Sequence, residues 1–474
     1  VTTVATPAIH VAPPPSSGRT LAFYLVTIFL GVGLFLWVSQ TGEGLSAPEL
    51  PVPEPHATSA HGSVFAHVLL ALAVVTLAAR GLGAVFERFL KQPPVIGEIV
   101  AGIALGPSIL GAISDDAYQF LLPLDAAPYL GVVAKIGVVL FMFLVGLELD
   151  LSVLRGRQQA TLAISHASII VPFVLGGVLA LVLYPIYSSA HVPFTVFALF
   201  LGVSMSVTAF PVLARILGDR KMMSSPLGVT AIACAAVDDA TAWCLLAFVS
   251  GVARAELGSA GVTLGLVLLH VLAVFFIARP LVRWLSEREE KRDGPVSLDT
   301  LALVFAGLLL SAVATEAIGI HALFGAFLFG AMIPHEGRLA QQLRVRIEDV
   351  VGVLLLPVFF AFTGMRTEIG LVGGSDWLFL GLVILVATLG KFGGTLVAAR
   401  FSGMPWRDAS ALGVLMNTRG LMELIVLNVG LDMGVLTPTL FTMMVLMALV
   451  TTFTTTPVLS LLLGRPSLPK DAAA

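Results

Sequence analysis

Apolar runs of spanning length recur along almost the whole chain. Thirteen of them, at residues 63–89, 95–113, 127–149, 159–184, 192–216, 226–252, 259–286, 297–316, 318–335, 347–367, 376–400, 407–430 and 436–463, are near the roughly 20 residues a helix needs to cross the hydrocarbon core. A segment in lipid must satisfy its own backbone hydrogen bonds, and an isolated run does so only as a helix. The expected fold is therefore an all-α polytopic membrane protein. Charged residues make up 12% of the 474, against about 25% in a soluble chain. With a formal net charge of −3, no nucleic-acid partner is expected; the partner this surface requires is the lipid bilayer.

Basic residues test the crossing count. If every run crosses, the loops on one face hold 18 Lys and Arg, among them Arg88, Arg215, Arg283, Arg344 and Arg407, and those on the other hold only Arg254 and Arg366. The positive-inside rule makes the rich face cytoplasmic, so the first of these helices starts outside and the C-terminus ends in the cytoplasm. A further apolar stretch at 21–38 is read as an extra N-terminal helix, with a secretory signal as the alternative. The expected domains are an extension over 1–62 with a Pro-rich linker, a transmembrane body over 63–464 and a cytoplasmic tail over 465–474. The tail is too short for a nucleotide-binding regulatory module. Cys234 and Cys244 are ten residues apart on one helix, about 15 Å, too far for a disulfide.

Against this background, Asp238 and Asp239 stand out in the apolar run 229–249. A charge at the bilayer centre costs about 2.5–3.5 kcal/mol on insertion scales, and such residues mark proton relays and ion sites. Successive helical positions point about 100° apart, so the two carboxylates cannot face one partner together. Polar glue between helices would be the structural reading, but Ser or Asn would serve that purpose at lower cost. Lys391, flanked by Gly390, Gly393 and Gly394, sits mid-segment at membrane depth. Its ammonium must find a carboxylate or lose its proton, and either aspartate is a candidate.

Two spans look interrupted. One contains Ser206, Thr208 and Pro211, and proline removes a backbone donor and clashes with the preceding turn. The other contains Asn417, Thr418, Arg419 and Gly420. Paired broken helices point to a transporter's central site, where freed carbonyls and half-helix ends hold ions; a lone kink would be the bland alternative. Arg419 needs a partner, with Glu423, Glu98 and Glu316 as candidates, and these glutamates are divided between pairing and proton access. His321 and His270 read as hydrogen-bonded helix contacts before proton carriers, and Lys135 as a side chain reaching the outer interface. The threonines at 451–452 and 454–456 are expected to bond back to their own helix. No Walker motif, zinc-ligand spacing or nucleotide fingerprint occurs, so neither a cofactor nor an enzyme activity is expected.

These residues carry a family likeness. Segments 94–102 (PVIGEIVAG), 144–150 (LVGLELD), 206–211 (SVTAFP), 237–243 (VDDATAW), 321–328 (HALFGAFL) and 417–424 (NTRGLMEL) resemble, in order and spacing, the monovalent cation:proton antiporter superfamily, in the branch with bacterial sodium/proton and potassium/proton antiporters and plant cation/proton exchangers. The likeness spans roughly residues 66–463. It implies an inverted-repeat fold with a dimerisation domain and a mobile core, two crossed broken helices, homodimers and elevator-like transport. It places the cation and the proton at Asp239 and pairs Asp238 with Lys391, as in electrogenic two-aspartate members. The 21–38 stretch and the lack of a regulatory domain depart from the pattern. Segment 417–424 looks nearest to plant-type exchangers and the double aspartate to sodium exchangers, which leaves the ion open among sodium, potassium and lithium.

The expected activity is exchange of a monovalent cation for a proton. Asp239 and Thr208, helped by backbone carbonyls, would hold the cation, which is the only metal site expected. Release of Lys391 by Asp238 would free a second proton and make exchange electrogenic. A passive cation channel or a transporter-like sensor would need filter features that are not evident. An intramembrane aspartyl protease needs two aspartates on separate helices sharing a proton, and adjacent acids on one helix do not supply that.

Overall fold

The computed structural model describes residues 59–464 except 124, 149–157, 190–191, 224, 255–259, 293, 320 and 335–336. The extension with its 21–38 stretch and the tail after 464 lie outside the described residues. By internal contacts the chain divides into Val1–His61 and Gly62–Ala474, and the membrane body is the second unit.

All regular structure among the described residues is helical. The helices are α1 (Ser59–Val85), α2 (Pro94–Leu105), α3 (Asp115–Leu121), α4 (Ala127–Glu148), α5 (Gln158–Tyr187), α6 (Phe194–Ser206), α7 (Phe210–Asp219), α8 (Pro226–Arg254), α9 (Ala260–Ala273), α10 (Arg279–Glu290), α11 (Leu298–Ile318), α12 (Ala322–Ala331), α13 (Arg338–Val350), α14 (Leu356–Met365), α15 (Asp376–Thr388), α16 (Gly394–Phe401), α17 (Trp406–Met416), α18 (Leu421–Asp432) and α19 (Pro438–Leu463). Several join through π-helical turns into longer rods, as at Leu389–Gly393 between α15 and α16.

Ten described helical rods are long and apolar enough to cross a membrane, and the bent pair α17–α18 makes an eleventh. The other two expected runs take different forms. The run at 318–335 holds α12, whose ten residues reach only about 15 Å. It is parted from α11 by Gly319 at φ 95°, a left-handed cap that glycine adopts without strain. The run at 347–367 continues N-terminally into α13, which buries Leu339, Ala340, Leu343 and Ile347 at helical spacing and leaves Arg344 and Glu348 exposed.

The helices pack as two groups. In one, α4 packs on α12 and α14, and α2 on α14. In the other, α5 packs on α6, α8 and α16, α17 on α16 and α19, and α7 on α8. Close approach within the second group rests on Gly390 and Gly394. A Cβ on Gly390 would stand 2.8 Å from Pro172 Cα, and one on Gly394 would stand 2.8 Å from the Ala167 carbonyl oxygen. Backbone contact there seats the π-helical turn, and Lys391 with it, directly against α5.

Candidate functional site

The site is built where two helices break against each other. α6 stops at Ser206, residues 207–209 run extended, and α7 starts at Phe210 with Pro211 in its first turn. The missing proline N–H costs nothing at that position. The second break runs from Asn417 to Gly420, and α17 and α18 meet there at 41°. The breaks satisfy one another. Ala209 N–H donates to the Thr418 carbonyl at 3.0 Å, and the Thr208 hydroxyl lies 3.1 Å from the Met416 carbonyl.

Arg419 caps the first break. Its guanidinium donates to the carbonyls of Ser204 (3.0 Å), Met205 (2.7 Å) and Val207 (2.9 Å). Those are the orphan acceptors at the end of α6, and a cation beside a helix C-terminus also complements its dipole. Three of the carbonyls freed by the first break thus each accept a hydrogen bond from Arg419. Of the three glutamates considered for Arg419, Glu423 is the one beside it, at 3.5 Å, with both side chains fully buried. Glu98 instead approaches Arg80 at 3.9 Å. Glu316 is exposed and accepts the Ala322 backbone N–H at 2.9 Å, which caps α12. His321 stands at the N-cap of α12, at the α11–α12 break.

The two aspartates on α8 have unlike surroundings. Asp238 is saturated: Ser165 (2.5 Å), Ser168 (2.7 Å), Thr208 (2.8 Å) and Lys391 (2.9 Å) all donate to its carboxylate. Lys391 is fully buried and also reaches the Ser168 hydroxyl at 3.2 Å. Asp239 is also buried, but its Oδ1 has no hydrogen-bond partner among the described residues. Thr208, expected beside Asp239, thus places its hydroxyl on Asp238. The Asn417 side-chain oxygen is another buried acceptor without a donor among the described residues.

Asp239 lines a cavity of about 460 Å³. Its walls are mainly apolar, including Phe141, Leu144, Phe210, Pro211 and Phe327, and it runs to Glu148, Arg344 and Glu348. α7 and α8 form one side, and α4, α12 and α13 the other, so the cavity lies between the two helix groups. The opposite end of α4 is tied down. Lys135 and Arg366 each meet the Asp432 carboxylate at 2.7 Å, and Arg366 also donates to Asn428 at 2.8 Å. Lys135, expected to reach the outer interface, is thus an ion-pair partner of Asp432. Among the described residues no cluster of three or more His, Cys, Asp or Glu could hold a resident metal.

Sequence reasoning missed three contributors. Neither Ser165 nor Ser168, one turn apart on α5, stands out in the sequence. Their only signal was i,i+3 spacing on a largely apolar helix. Thr452 was grouped with the other threonines. Thr451, Thr454 and Thr455 do bond back to carbonyls of α19. Thr452 instead accepts the Arg419 backbone N–H and donates to the Arg419 carbonyl, both at 2.8 Å, pinning the second break. His270 follows expectation, with the Ser311 hydroxyl 3.3 Å from its Nε2. Cys234 and Cys244 are both free.

Known proteins resemble this chain. The family described as the transmembrane sodium/hydrogen exchanger matches residues 70–463. The Na(+)/H(+) antiporter NhaS4 of Synechocystis sp. is 42% identical, over 84% of this chain and 98% of its own length. The Cation/H(+) antiporter 20 of Arabidopsis thaliana is 43% identical over 83% of this chain, and the K(+)/H(+) antiporter 1 of Saccharomyces cerevisiae 36% over 78%. The chain spans only 48% and 44% of those two. The sodium proton antiporter MjNhaP1 of Methanocaldococcus jannaschii has the same fold, with a TM-score of 0.59 over 86% of this chain and 100% of its own at 15% identity. With nearly all of the multi-pass body covered by that family model, the chain belongs to the transmembrane sodium/hydrogen exchanger family, which comprises transporters rather than enzymes.

Proposed function

We propose that the protein is a secondary antiporter that exchanges a monovalent cation for protons, with Asp239 as the shared site. One observation carries the reading: a buried carboxylate with an oxygen that has no donor among the described residues, at the wall of a cavity. Charge pairing explains its role. Lys391 compensates Asp238 and Glu423 compensates Arg419, which leaves the charge of Asp239 to be met by cargo. A proton neutralises it directly, and a partly dehydrated cation does so by coordination. Competition for one carboxylate couples the two fluxes without a further device. Names of relatives support sodium and potassium as cargo, and sodium, potassium and lithium are the ions to compare.

The second proton belongs to Lys391. When a cation draws on Asp238, the ammonium loses its counter-ion and releases its proton, while Ser165, Ser168 and Thr208 still hold the carboxylate. Exchange is then electrogenic. Movement is of the elevator type, with the α5–α8 and α15–α19 group sliding against the group containing α4, α12 and α14. The cavity at Asp239, between the two groups, fits one stage of such a cycle. The working unit is a homodimer in the cytoplasmic membrane, with the basic loops and the C-terminus inside.

Reconstitution tests this. Gradients of sodium, potassium and lithium are imposed in turn on proteoliposomes, with internal pH and membrane potential read together. Saturable cation-driven proton flux that moves net charge is expected. Uncoupled cation flux would replace the antiporter with a pore, and flux that moves no charge would remove the Lys391 proton.

A further inference from the structure

We infer that Glu148, Arg344 and Glu348 form a charge-setting mouth that determines how strongly the protein recruits its cation. The inference rests on the antiport reading of Asp239. Apart from Asp239, these three are the only ionisable side chains among the described residues lining its cavity. An ion moving between water and Asp239 along that cavity passes them. The remaining walls are mainly apolar, and low-dielectric walls focus the field of the charges at a cleft's opening. Among the described residues, two carboxylates and one guanidinium give the mouth a formal charge of −1.

The elements hold these residues in register. Glu148 is the last residue of α4, and Arg344 and Glu348 lie four apart on the exposed face of α13. Arg344 Nε stands 3.3 Å from Glu148, with both side chains 44% exposed. A pair this wet is held weakly. Arg344 therefore works as an internal competitor: it occupies Glu148 when no cation is there and yields when one arrives. None of the three touches the cargo at Asp239. They are positioning residues that set the local cation concentration, so they act on KM and leave the maximal rate alone.

The test is cation-dependent proton flux in vesicles of defined orientation, with the cation applied on the cavity side. Arg344→Gln, which makes the mouth −2, lowers the apparent KM by about two- to fivefold, the range an exposed pair supplies. Glu148→Gln and Glu348→Gln raise it by a similar factor. Arg344→Gln combined with Glu148→Gln restores −1 and returns KM towards that of the unaltered protein. The maximal rate stays unchanged in all four. The unaltered protein gives a second measurement, because screening by choline chloride should raise its KM. A KM indifferent to mouth charge and to choline, or a changed maximal rate at constant KM, overturns the proposal. Asp239→Asn in the same vesicles separates the two readings. If it abolishes flux while the mouth variants leave KM alone, only the mouth fails; if flux survives it, the antiport site itself is wrong.

Discussion

Asp238 and Asp239 are the same residue type on the same helix, one position apart, and the fold treats them oppositely. Asp238 faces α5, the first break and the π-helical turn, and collects four donors. Asp239 faces the cavity and keeps an oxygen with no donor among the described residues. A rotation of about 100° per residue is enough to place one carboxylate in a complete hydrogen-bond shell and the other at the edge of an opening. A saturated buried carboxylate anchors its neighbours for as long as its counter-ion stays charged; an unsaturated one has capacity for cargo. The division of labour is set by the neighbours and not by the aspartates themselves.

Substitutions can break that contrast. Asp239→Asn removes the shared charge and should abolish cation-driven proton flux in proteoliposomes while leaving the protein folded; persisting flux would move the site elsewhere. Lys391→Ala strands the Asp238 charge, and breaking a buried pair in this way costs about 3–5 kcal/mol, read as a loss of thermal stability in detergent. Adding Asp238→Asn should recover much of that stability while reducing the charge moved per cation. An unchanged current per cation in the double variant would contradict the Lys391 role.

Smaller changes sharpen it. Ser168→Ala deletes hydrogen bonds to both members of the Asp238–Lys391 pair, and bonds to charged groups contribute about 1.5–3 kcal/mol each. The expected result is lower stability with cation KM little changed, because Asp239 is untouched. A large KM change with no stability loss would assign Ser168 to the cargo instead. If proton and cation compete at Asp239, apparent KM should rise as pH falls, approaching about tenfold per pH unit once the carboxyl is mostly protonated. A KM independent of pH over the active range would separate the two ligands. Thr452→Val removes the pin on the second break and should cost about 1 kcal/mol, seen as a lower melting temperature with the charge moved per cation unaltered.

The sequence made the breaks legible because their causes are local. Pro211 and the polar Asn417–Gly420 stretch interrupt apolar periodicity, and helices end beside both. It could not show that Arg419 fills the carbonyls freed by the first break, since the residues involved are more than 200 apart. Glu98, Glu316 and Glu423 were equivalent candidates for Arg419 in one dimension. The structure places Glu423, four residues on from Arg419, beside it, and sets Glu98 and Glu316 against other partners. Ser165, Ser168 and Thr452 carried no distinctive pattern, since a hydroxyl becomes a site residue only when another helix brings it an unsatisfied partner.

By itself the sequence determined a helical membrane body, two interrupted spans, and aspartates and a lysine at membrane depth. Helix length, proline geometry and the cost of a charge in lipid are properties of short stretches of chain. Tertiary structure alone decided which aspartate is saturated and where the cavity beside Asp239 lies. Those outcomes depend on distances between helices remote in sequence, and the free energy of a buried charge is governed by the donors within about 3 Å of it.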